Sequence, residues 1–378
     1  MKVNSYDEWS PLREVILGSA VNYTSHEREL SFDLFFHDNL VRSEWAYPRL
    51  SSPTGEKPRS RRTSISERYV DELNEDLEGM EKALTDLGVK VLRPMDLSTE
   101  TGDVTTLDWS ASVVPPLNVR DNSLVLGDEI LETAPMVRSR YFETRLLQRI
   151  FMDYFRQGSR WSTMPRPIMT DGSFDPSYAE STLGGPTEPI RNPQVSPYDV
   201  GFEIMIDGAQ CLRLGRDVIV NVSTANHQLG FDWMVAHFGG RFRFHRIERL
   251  SDSHIDSMVL ALRPGTLLIR NEGVLDYLPE QLRSWDYIIP PSPSQNNFPD
   301  YDGDELILTS PYIDLNVLSI DPETVMVNEA CPELARELEK HGFTAVPVRH
   351  RHRRLFGGGF HCFTLDTVRD GGPEDYLD

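Results

Sequence analysis

A lone cysteine near the C-terminus is the best candidate for covalent chemistry in this chain. Cys362 follows three consecutive glycines, 357–359, and stands at the start of an alternating segment. Glycines place no side chain in the way of a ligand, so a substrate carbon could approach the thiol closely. A cysteine is more often an ordinary buried apolar residue, but these neighbours favour a nucleophile.

A histidine and three aspartates could support such a thiol. A nearby imidazole lowers the pKa of a thiol and returns a proton to a leaving group, and His254 is the candidate for that role. A carboxylate bonded to the far nitrogen would fix the tautomer of the imidazole, which suits Asp207. If residues 254–256 are extended, His254 and Asp256 project to the same face. The remaining acids, Asp121 and Asp256, would hold a cation, and a guanidinium with its five donors matches them best.

A repeated unit predicts how these residues meet. Five times the chain reads as two strands joined by a turn, then a helix, then a third strand, and the helix usually ends at a glycine. The predicted helices span 67–87, 143–157, 230–238, 279–284 and 330–341. The predicted hairpins span 124–131, 212–219, 259–269 and 317–327, and a fifth pairs 14–17 with 363–368.

Closing the last unit with the first strand predicts a ring that leaves no open sheet edge. The predicted fold class is therefore α/β, a five-module pseudo-symmetric α/β propeller of ββαβ repeats in one catalytic domain, 1–378. The alternative is an α/β sandwich, in which a helix that ends at a glycine before a strand is a common connection and does not mark a repeated unit. A mobile loop at 51–66 and an insertion at 164–198 fall outside the repeat.

In such a ring the residues just before each hairpin converge on the central axis. All five positions hold polar or reactive residues: Asp121, Asp207, His254 with Asp256, Ser310, and Cys362. The candidates for chemistry therefore occupy equivalent places in the repeat, and Ser310 joins them as a candidate substrate-binding residue.

Composition narrows the range of partners. The 378 residues include 59 acidic and 38 basic side chains, for a formal net charge of −21. Such a charge argues against nucleic acid or an anionic membrane as a partner and suits a cationic small molecule. Cys211, Cys331 and Cys362 are too few and too widely spaced for a disulfide framework or a thiolate zinc site. Because no apolar stretch has the length of a signal peptide or membrane span, we expect a soluble cytoplasmic protein.

Six segments of the chain resemble the amidinotransferases, namely the glycine and inosamine-phosphate enzymes and their secondary-metabolite relatives. The segments are 9–18, 135–143, 215–217, 229–233, 254–256 and 357–362, and the resemblance runs from about residue 4 to 369. It implies the five-module α/β propeller and a Cys, His, Asp set that moves an amidino group from arginine to an amine. It also implies that Cys362 is the nucleophile, His254 the general acid/base and Asp207 the partner of His254. Asp121 and Asp256 would then bind the guanidinium.

Three departures from the family pattern bear on the substrate. The usual Asn-Pro-x-Arg, whose arginine helps to bind a substrate carboxylate, reads Asn271-Glu-Gly-Val274. Arg270 is the nearest residue that could take over this contact; alternatively, it is a surface residue and the substrate lacks a carboxylate there. The other departures are Ile206-Asp-Gly-Ala-Gln210 for Phe-Asp-Ala-Ala-Asp/Asn and Val119-Arg-Asp121 for Pro-Arg-Asp.

The sequence therefore predicts an L-arginine-dependent amidinotransferase that forms an S-amidino-cysteine and releases ornithine. It needs no metal or cofactor, since the guanidinium carries its own electrophilic carbon. One alternative is a hydrolase of the same fold, in which water replaces the amine and citrulline and ammonia form. Another is a non-catalytic ligand-binding protein, against which the intact Cys, His, Asp set argues. The amine acceptor stays open, and so does the oligomeric state, for which a homodimer is one option.

Overall fold

The computed structural model describes residues 1–24, 26, 29–32, 34–35, 65–98, 102–175, 196–292, 298–299, 301 and 308–377. Most of the loop predicted at 51–66 lies outside these residues, as does the part 176–195 of the insertion predicted at 164–198. The described part of that insertion is packed, because Met164, Met169 and Phe174 are buried.

Five three-stranded sheets make up most of the described α/β fold. In each sheet a central strand pairs antiparallel with its hairpin partner and parallel with a third strand. The strands are β1 (Leu12–Leu17), β2 (Lys90–Leu92), β3 (Val104–Thr105), β4 (Ser110–Ala111), β5 (Ser123–Leu126), β6 (Glu129–Glu132), β7 (Arg160–Thr163), β8 (Cys211–Leu214), β9 (Asp217–Val222), β10 (Arg243–Glu248), β11 (Val259–Arg263), β12 (Thr266–Ile269), β13 (Asp286–Ile288), β14 (Leu318–Asp321), β15 (Thr324–Asn328), β16 (Thr344–Val348) and β17 (Thr364–Arg369). Strands β3 and β4 pair separately as a short antiparallel ribbon.

A helix links the central strand of each sheet to the parallel third strand. The helices are α1 (Glu67–Asp86), α2 (Gln148–Arg156), α3 (Ala225–Phe238), α4 (Glu280–Arg283) and α5 (Pro332–Lys340). As predicted, glycines in the left-handed region follow four of them, with φ of 82° at Gly88, 92° at Gly158, 83° at Gly240 and 83° at Gly342. Among the described helices, none combines the length and the apolar character that crossing a bilayer requires.

We call each hairpin with its helix and third strand a unit. Unit 1 holds β5, β6, α2 and β7; unit 2 holds β8, β9, α3 and β10; unit 3 holds β11, β12, α4 and β13; unit 4 holds β14, β15, α5 and β16. Unit 5 holds β17, β1, α1 and β2. It combines the last strand with the first elements, because β1 pairs with β17 on one side and with β2 on the other. The predicted order of two strands, a helix and a third strand is therefore confirmed in all five units.

Some predicted boundaries were wrong. Helix α3 begins at Ala225 rather than residue 230, because Oγ1 of Thr224 accepts a hydrogen bond from the backbone N of His227 at 3.1 Å and caps the helix. The predicted first turns of α2 are a 3₁₀-helix, Glu143–Leu147. The sequence predicts the third strand of this unit at 241–244, whereas the observed strand β10 begins later, at Arg243, and is longer. Among the described residues, the other 3₁₀-helices are Arg138–Arg140, Asp171–Ser173, Gly208–Gln210, Glu272–Tyr277 and Pro311–Leu315.

Hydrophobic side chains from neighbouring units form shared clusters between the sheets. Consecutive residues of each central strand belong to different clusters, so each central strand is buried on both faces. These pairs are Val15 and Ile16, Ile130 and Leu131, Val218 and Ile219, Leu267 and Leu268, and Val325 and Met326. Each unit thus packs against one neighbour through one face and against another neighbour through the other.

Candidate active site

Segments that precede four of the five hairpins line a cavity of about 350 Å³. Its lining includes six of the residues singled out in the sequence: Asp121, His254, Asp256, Arg270, Ser310 and Cys362. Asp207, the candidate partner of the base, reaches the cavity through its hydrogen bond to His254. The structure therefore brings the candidates from all five positions together.

Cys362 is buried, and its sulfur lies beside a carboxylate. Sγ is 3.4 Å from Oδ2 of Asp256, and the backbone N donates to Oδ1 of Asn316 at 2.9 Å. Burial, together with the charges of Asp256 and Asp121, raises the pKa of the Cys362 thiol well above its usual value. The expectation that an imidazole lowers this pKa was wrong, because the carboxylate charges beside the sulfur favour the protonated thiol.

The three glycines before Cys362 serve mainly to let the loop pack closely. A Cβ at Gly359 would lie 2.7 Å from the backbone oxygen of Asn316, and a Cβ at Gly358 would lie 2.4 Å from the ring of Phe363. Gly357 adopts φ of 72° and lines the cavity. The loop is thus held against Asn316 by close backbone contact, whereas we expected the glycines to leave room for the substrate.

His254 forms the predicted pair with Asp207. Nε2 of His254 lies 2.9 Å from Oδ2 of Asp207, and Nδ1 lies 3.9 Å from Oδ1 of Asp121. Burial alone would lower the pKa of His254, but the carboxylates of Asp121, Asp207 and Asp256 outweigh it and raise the pKa to about 9. The imidazole is therefore in its protonated, positively charged form at neutral pH. Nδ1 is the nitrogen that faces away from Asp207. Asp256 lies in a turn that begins just after His254, rather than in the extended segment we expected, although both residues line the cavity.

Asp121 is held by an arginine that the sequence did not single out. Nη1 of Arg140 donates to Oδ2 of Asp121 at 2.6 Å, and Nε of the same arginine donates to Glu143 at 2.6 Å. Burial raises the pKa of Asp121, and the nearby Asp207 adds to this effect, whereas His254 and Arg140 act against it. Asp121 is thus already paired with one cation, Arg140, through Oδ2.

Asp256 is held in the same way by a histidine. Nδ1 of His361 lies 2.8 Å from Oδ2 of Asp256. Burial would raise the pKa of Asp256, but the hydrogen bond and charge of His361 lower it to about 2. Asp256 is therefore ionised at neutral pH.

The three aspartates share one arrangement. Each uses Oδ2 for a positively charged or donating partner, namely Arg140, His254 or His361. Within the described part of the chain, Oδ1 of Asp121, Asp207 and Asp256 is buried and has no hydrogen-bond partner. Asp121 and Asp256 also line the cavity, so their two free acceptor atoms fit a ligand that carries a positive charge and several N–H donors.

A metal ion fits these groups less well than a guanidinium. Asp121, Asp207 and His254 offer ligand atoms within 4.8 Å of one another. A metal would have to displace the imidazole proton that the surrounding carboxylates stabilise. A guanidinium needs no such displacement, because it donates hydrogen bonds to the carboxylates directly.

Arg270 and Ser310 lie on the cavity wall. The Arg270 guanidinium stacks 4.5 Å above the ring of Tyr312, and its Nη1 lies 3.6 Å from Sδ of Met258. Among the described residues, Arg270 forms no ion pair with an acidic side chain. Oγ of Ser310 accepts a hydrogen bond from the backbone N of Tyr312 at 3.3 Å and caps the 3₁₀-helix Pro311–Leu315. Arg270 is therefore a cavity residue, and not the ordinary surface residue of our alternative prediction.

No protein-family model matches the chain. Among curated proteins, the putative inosamine-phosphate amidinotransferase 2 of Streptomyces griseus is 32% identical to it over 377 residues, which cover 99% of both chains. The chain belongs to the amidinotransferase family. The L-arginine:L-lysine amidinotransferase of Pseudomonas savastanoi pv. phaseolicola is 29% identical over 385 residues, or 99% of this chain and 96% of that protein. The solved structure of the inosamine-phosphate amidinotransferase of Streptomyces griseus matches with a TM-score of 0.79 at 30% identity and covers 100% of this chain and 99% of its own.

In this amidinotransferase the missed residues are those that hold the predicted ones. Arg140 holds Asp121, and Asn316 holds the loop of Cys362. Arg140 lies in segment 135–143, one of the six that carry the family resemblance, and this was the available signal. Asn316 had no such signal, because an asparagine after a short helix is common in any fold.

Proposed function

We propose that this amidinotransferase transfers the amidino group of L-arginine to an amine through an S-amidino-cysteine on Cys362. The observation that carries the proposal is the pair of buried Oδ1 atoms on Asp121 and Asp256, which have no hydrogen-bond partner among the described residues, in the cavity that Cys362 also lines. The name of the Pseudomonas relative, which includes both arginine and lysine, supports arginine as the donor and an amine as the acceptor.

In the first half-reaction, the guanidinium activates the thiol that attacks it. A guanidinium bound by Asp121 and Asp256 offsets the two carboxylate charges that raise the pKa of Cys362, so the thiol can release its proton. The sulfur then forms a bond to the guanidinium carbon. The bond from that carbon to the ornithine nitrogen breaks, and this nitrogen leaves as an ammonium group with two added protons, one released by the thiol and one donated by His254, which becomes neutral.

In the second half-reaction, the same groups work in reverse. Neutral His254 accepts a proton from the ammonium group of the acceptor, and the free amine attacks the amidino carbon. The carbon–sulfur bond breaks, and the departing sulfur takes the second proton that the attacking nitrogen loses, which restores the thiol. Asp207 holds Nε2 of His254 throughout, so the ring presents Nδ1 for both proton transfers.

Arg270 is the proposed contact for a substrate carboxylate. Arg270 contacts an uncharged ring and a thioether, those of Tyr312 and Met258, and lines the same cavity as Asp121 and Asp256. An amino acid donor has both a cationic group and a carboxylate, which match the aspartates and Arg270 respectively. Ser310, which also lines the cavity, supplies a hydroxyl.

We also propose that the five units form a closed ring, the five-module propeller of the sequence prediction. The support comes from the hydrophobic clusters. Unit 5 shares one cluster with unit 4 and another with unit 1, so packing continues from the last unit to the first. Such a ring would place the five hairpin entrances around one axis, where the cavity lies.

The products of a single incubation test the proposed function. The protein is mixed with arginine and each of a panel of amines, namely amino acids, polyamines and amino sugars, and the products are identified by mass. Transfer gives ornithine and a new guanidine without ammonia. Citrulline with ammonia would instead identify a hydrolase, and no product with any amine would point to a binding protein. Cys362→Ala serves as the control for contaminating activity.

A further inference from the structure

His361, the neighbour of the candidate nucleophile, lies buried between two carboxylates. Nδ1 is 2.8 Å from Oδ2 of Asp256, and Nε2 is 3.2 Å from Oε2 of Glu8. The proposed mechanism assigns no task to either His361 or Glu8. Yet Oδ2 of Asp256, the atom that His361 contacts, is also the atom 3.4 Å from the Cys362 sulfur.

The two contacts determine which ring nitrogens carry a proton. An ionised carboxylate can only accept hydrogen bonds, so a ring nitrogen that faces one must donate. Burial would raise the pKa of Glu8, but Arg213 and the hydrogen bond from His361 lower it below the usual range. Asp256 is ionised as well. With a carboxylate at each nitrogen, His361 donates from both sides.

Glu8 is itself fixed by surrounding cations. Arg213, on β8, donates from Nε to Oε1 of Glu8 at 2.8 Å and from Nη2 to Oε2 at 2.7 Å. Arg120 lies 3.7 Å from Oε2 of Glu8, and its Nε donates to the backbone oxygen of His361 at 2.9 Å. These groups come from the N-terminal segment and from units 1 and 2. They fix Glu8 and the backbone oxygen of His361.

We propose that His361 is a positioning residue that donates from both ring nitrogens, fixing Oδ2 of Asp256 beside the thiol and leaving Oδ1 for the substrate guanidinium. The role toward the guanidinium depends on the proposed function, whereas the role toward the thiol does not. Asn316 helps from the other side, because Nδ2 donates to the backbone oxygen of Asp256 at 3.3 Å.

Two substitutions separate the two donations of His361. Asparagine places its amide nitrogen near the position of Nδ1, so His361→Asn keeps a donor for Asp256. Glutamine places its nitrogen near Nε2, so His361→Gln keeps a donor for Glu8 and leaves Asp256 without one. The readouts are kcat/KM with arginine and the pH midpoint of Cys362 alkylation by iodoacetamide, with the modified cysteine identified by peptide mass.

His361→Gln should lower kcat/KM by about 10- to 100-fold, the effect of one lost charge-assisted hydrogen bond. It should also move the alkylation midpoint to higher pH, because Asp256 then keeps its full charge beside the sulfur. His361→Asn should show a clearly smaller loss of kcat/KM and a clearly smaller shift of the alkylation midpoint. His341→Gln, at the exposed end of α5, is the matched control and should change neither.

Equal losses in the asparagine and glutamine variants would overturn the proposal, because a merely structural role does not distinguish the two nitrogens. If the wild type forms no guanidino product, the proposed function fails, while the alkylation profiles still test the role toward the thiol. If neither variant folds, NMR of the histidine ring nitrogens in the wild type tests the proposal instead. Protons on both ring nitrogens of His361 at pH 7.5 support the proposal, and a ring with one proton overturns it.

Discussion

The sulfur of Cys362 lies 3.4 Å from Oδ2 of Asp256, so the candidate nucleophile rests against a negative charge. A carboxylate at this distance disfavours a thiolate, and Asp121 acts in the same direction. The thiol therefore favours its protonated form. In the proposed mechanism it stays protonated until a cation enters the cavity, which would restrict reactivity to substrates that carry a positive charge at the carbon to be attacked.

Removing the charge of Asp256 should have opposite effects on thiol reactivity and on turnover. In Asp256→Asn the pKa of Cys362 should fall, so iodoacetamide should modify Cys362 faster than in the wild type at neutral pH. Turnover with arginine should fall at least tenfold, because a guanidinium contact is lost. Alkylation rates and steady-state kinetics check the two effects, and Asp276→Asn, at an exposed position, is the control. Slower alkylation in Asp256→Asn would show that this carboxylate does not set the pKa of the thiol.

Asp207 should matter for proton transfer rather than for binding. In Asp207→Asn the imidazole loses the carboxylate that fixes its tautomer, and the comparable loss in the Ser-His-Asp enzymes is about 10⁴-fold in kcat. Arginine binding, measured by calorimetry, should change little by comparison. Asp232→Asn, on the exposed side of α3, should behave as the wild type. A loss below about tenfold in Asp207→Asn would mean that another group orients His254.

Arg270 should discriminate donors by their carboxylate. Arg270→Ala should raise the KM for arginine by about tenfold or more, since a charge-assisted pair contributes about 1.5–3 kcal/mol. It should leave agmatine, which has no carboxylate, almost unaffected. Steady-state kinetics with both donors give the comparison, and Arg336→Ala on the exposed face of α5 is the control. Equal effects on arginine and agmatine would show that no carboxylate is bound there.

The raised pKa of His254 should appear as a pH-dependent stability. The pKa is about 9 in the folded chain, against an ordinary value of 6.5. Protonated His254 therefore stabilises the fold fully below pH 6.5, and this contribution is lost as pH rises through about 9. The free energy of unfolding of the wild type relative to His254→Gln should fall by up to roughly 3 kcal/mol over this range. Denaturant titrations at several pH values measure it, and a difference that stays constant or grows with pH contradicts the assignment.

The repeat could be predicted from the sequence because its signals are local. A glycine such as Gly88 or Gly342 ends a helix through its own backbone conformation, and a turn such as Pro264-Gly265 joins two adjacent strands. These signals recur at each unit, so errors at single boundaries did not change the order of the elements. The start of α3 was missed because the cap is a single threonine, Thr224, that resembles any other threonine in the sequence.

The site was predictable where it follows the repeat and not where it depends on distant partners. The residues before the hairpins, such as Asp121 and Cys362, were found because the repeat places them at equivalent positions. The contact of His361 with Glu8 joins residues 353 positions apart, and no local pattern indicates such a pair. The pKa of Cys362 was misjudged for a related reason. Sequence gives the types of charged groups around a thiol but not their distances from the sulfur.

A rapid-quench experiment tests the central claim most directly. The wild-type protein is mixed with arginine in the absence of an acceptor, quenched in acid and digested, and the peptides are analysed by mass. The account predicts an amidino group on Cys362 and on neither Cys211 nor Cys331, formed with one equivalent of ornithine. The adduct should be absent in Cys362→Ser. Ornithine or a transferred guanidine without any adduct on Cys362, or an adduct on another cysteine, would contradict the account.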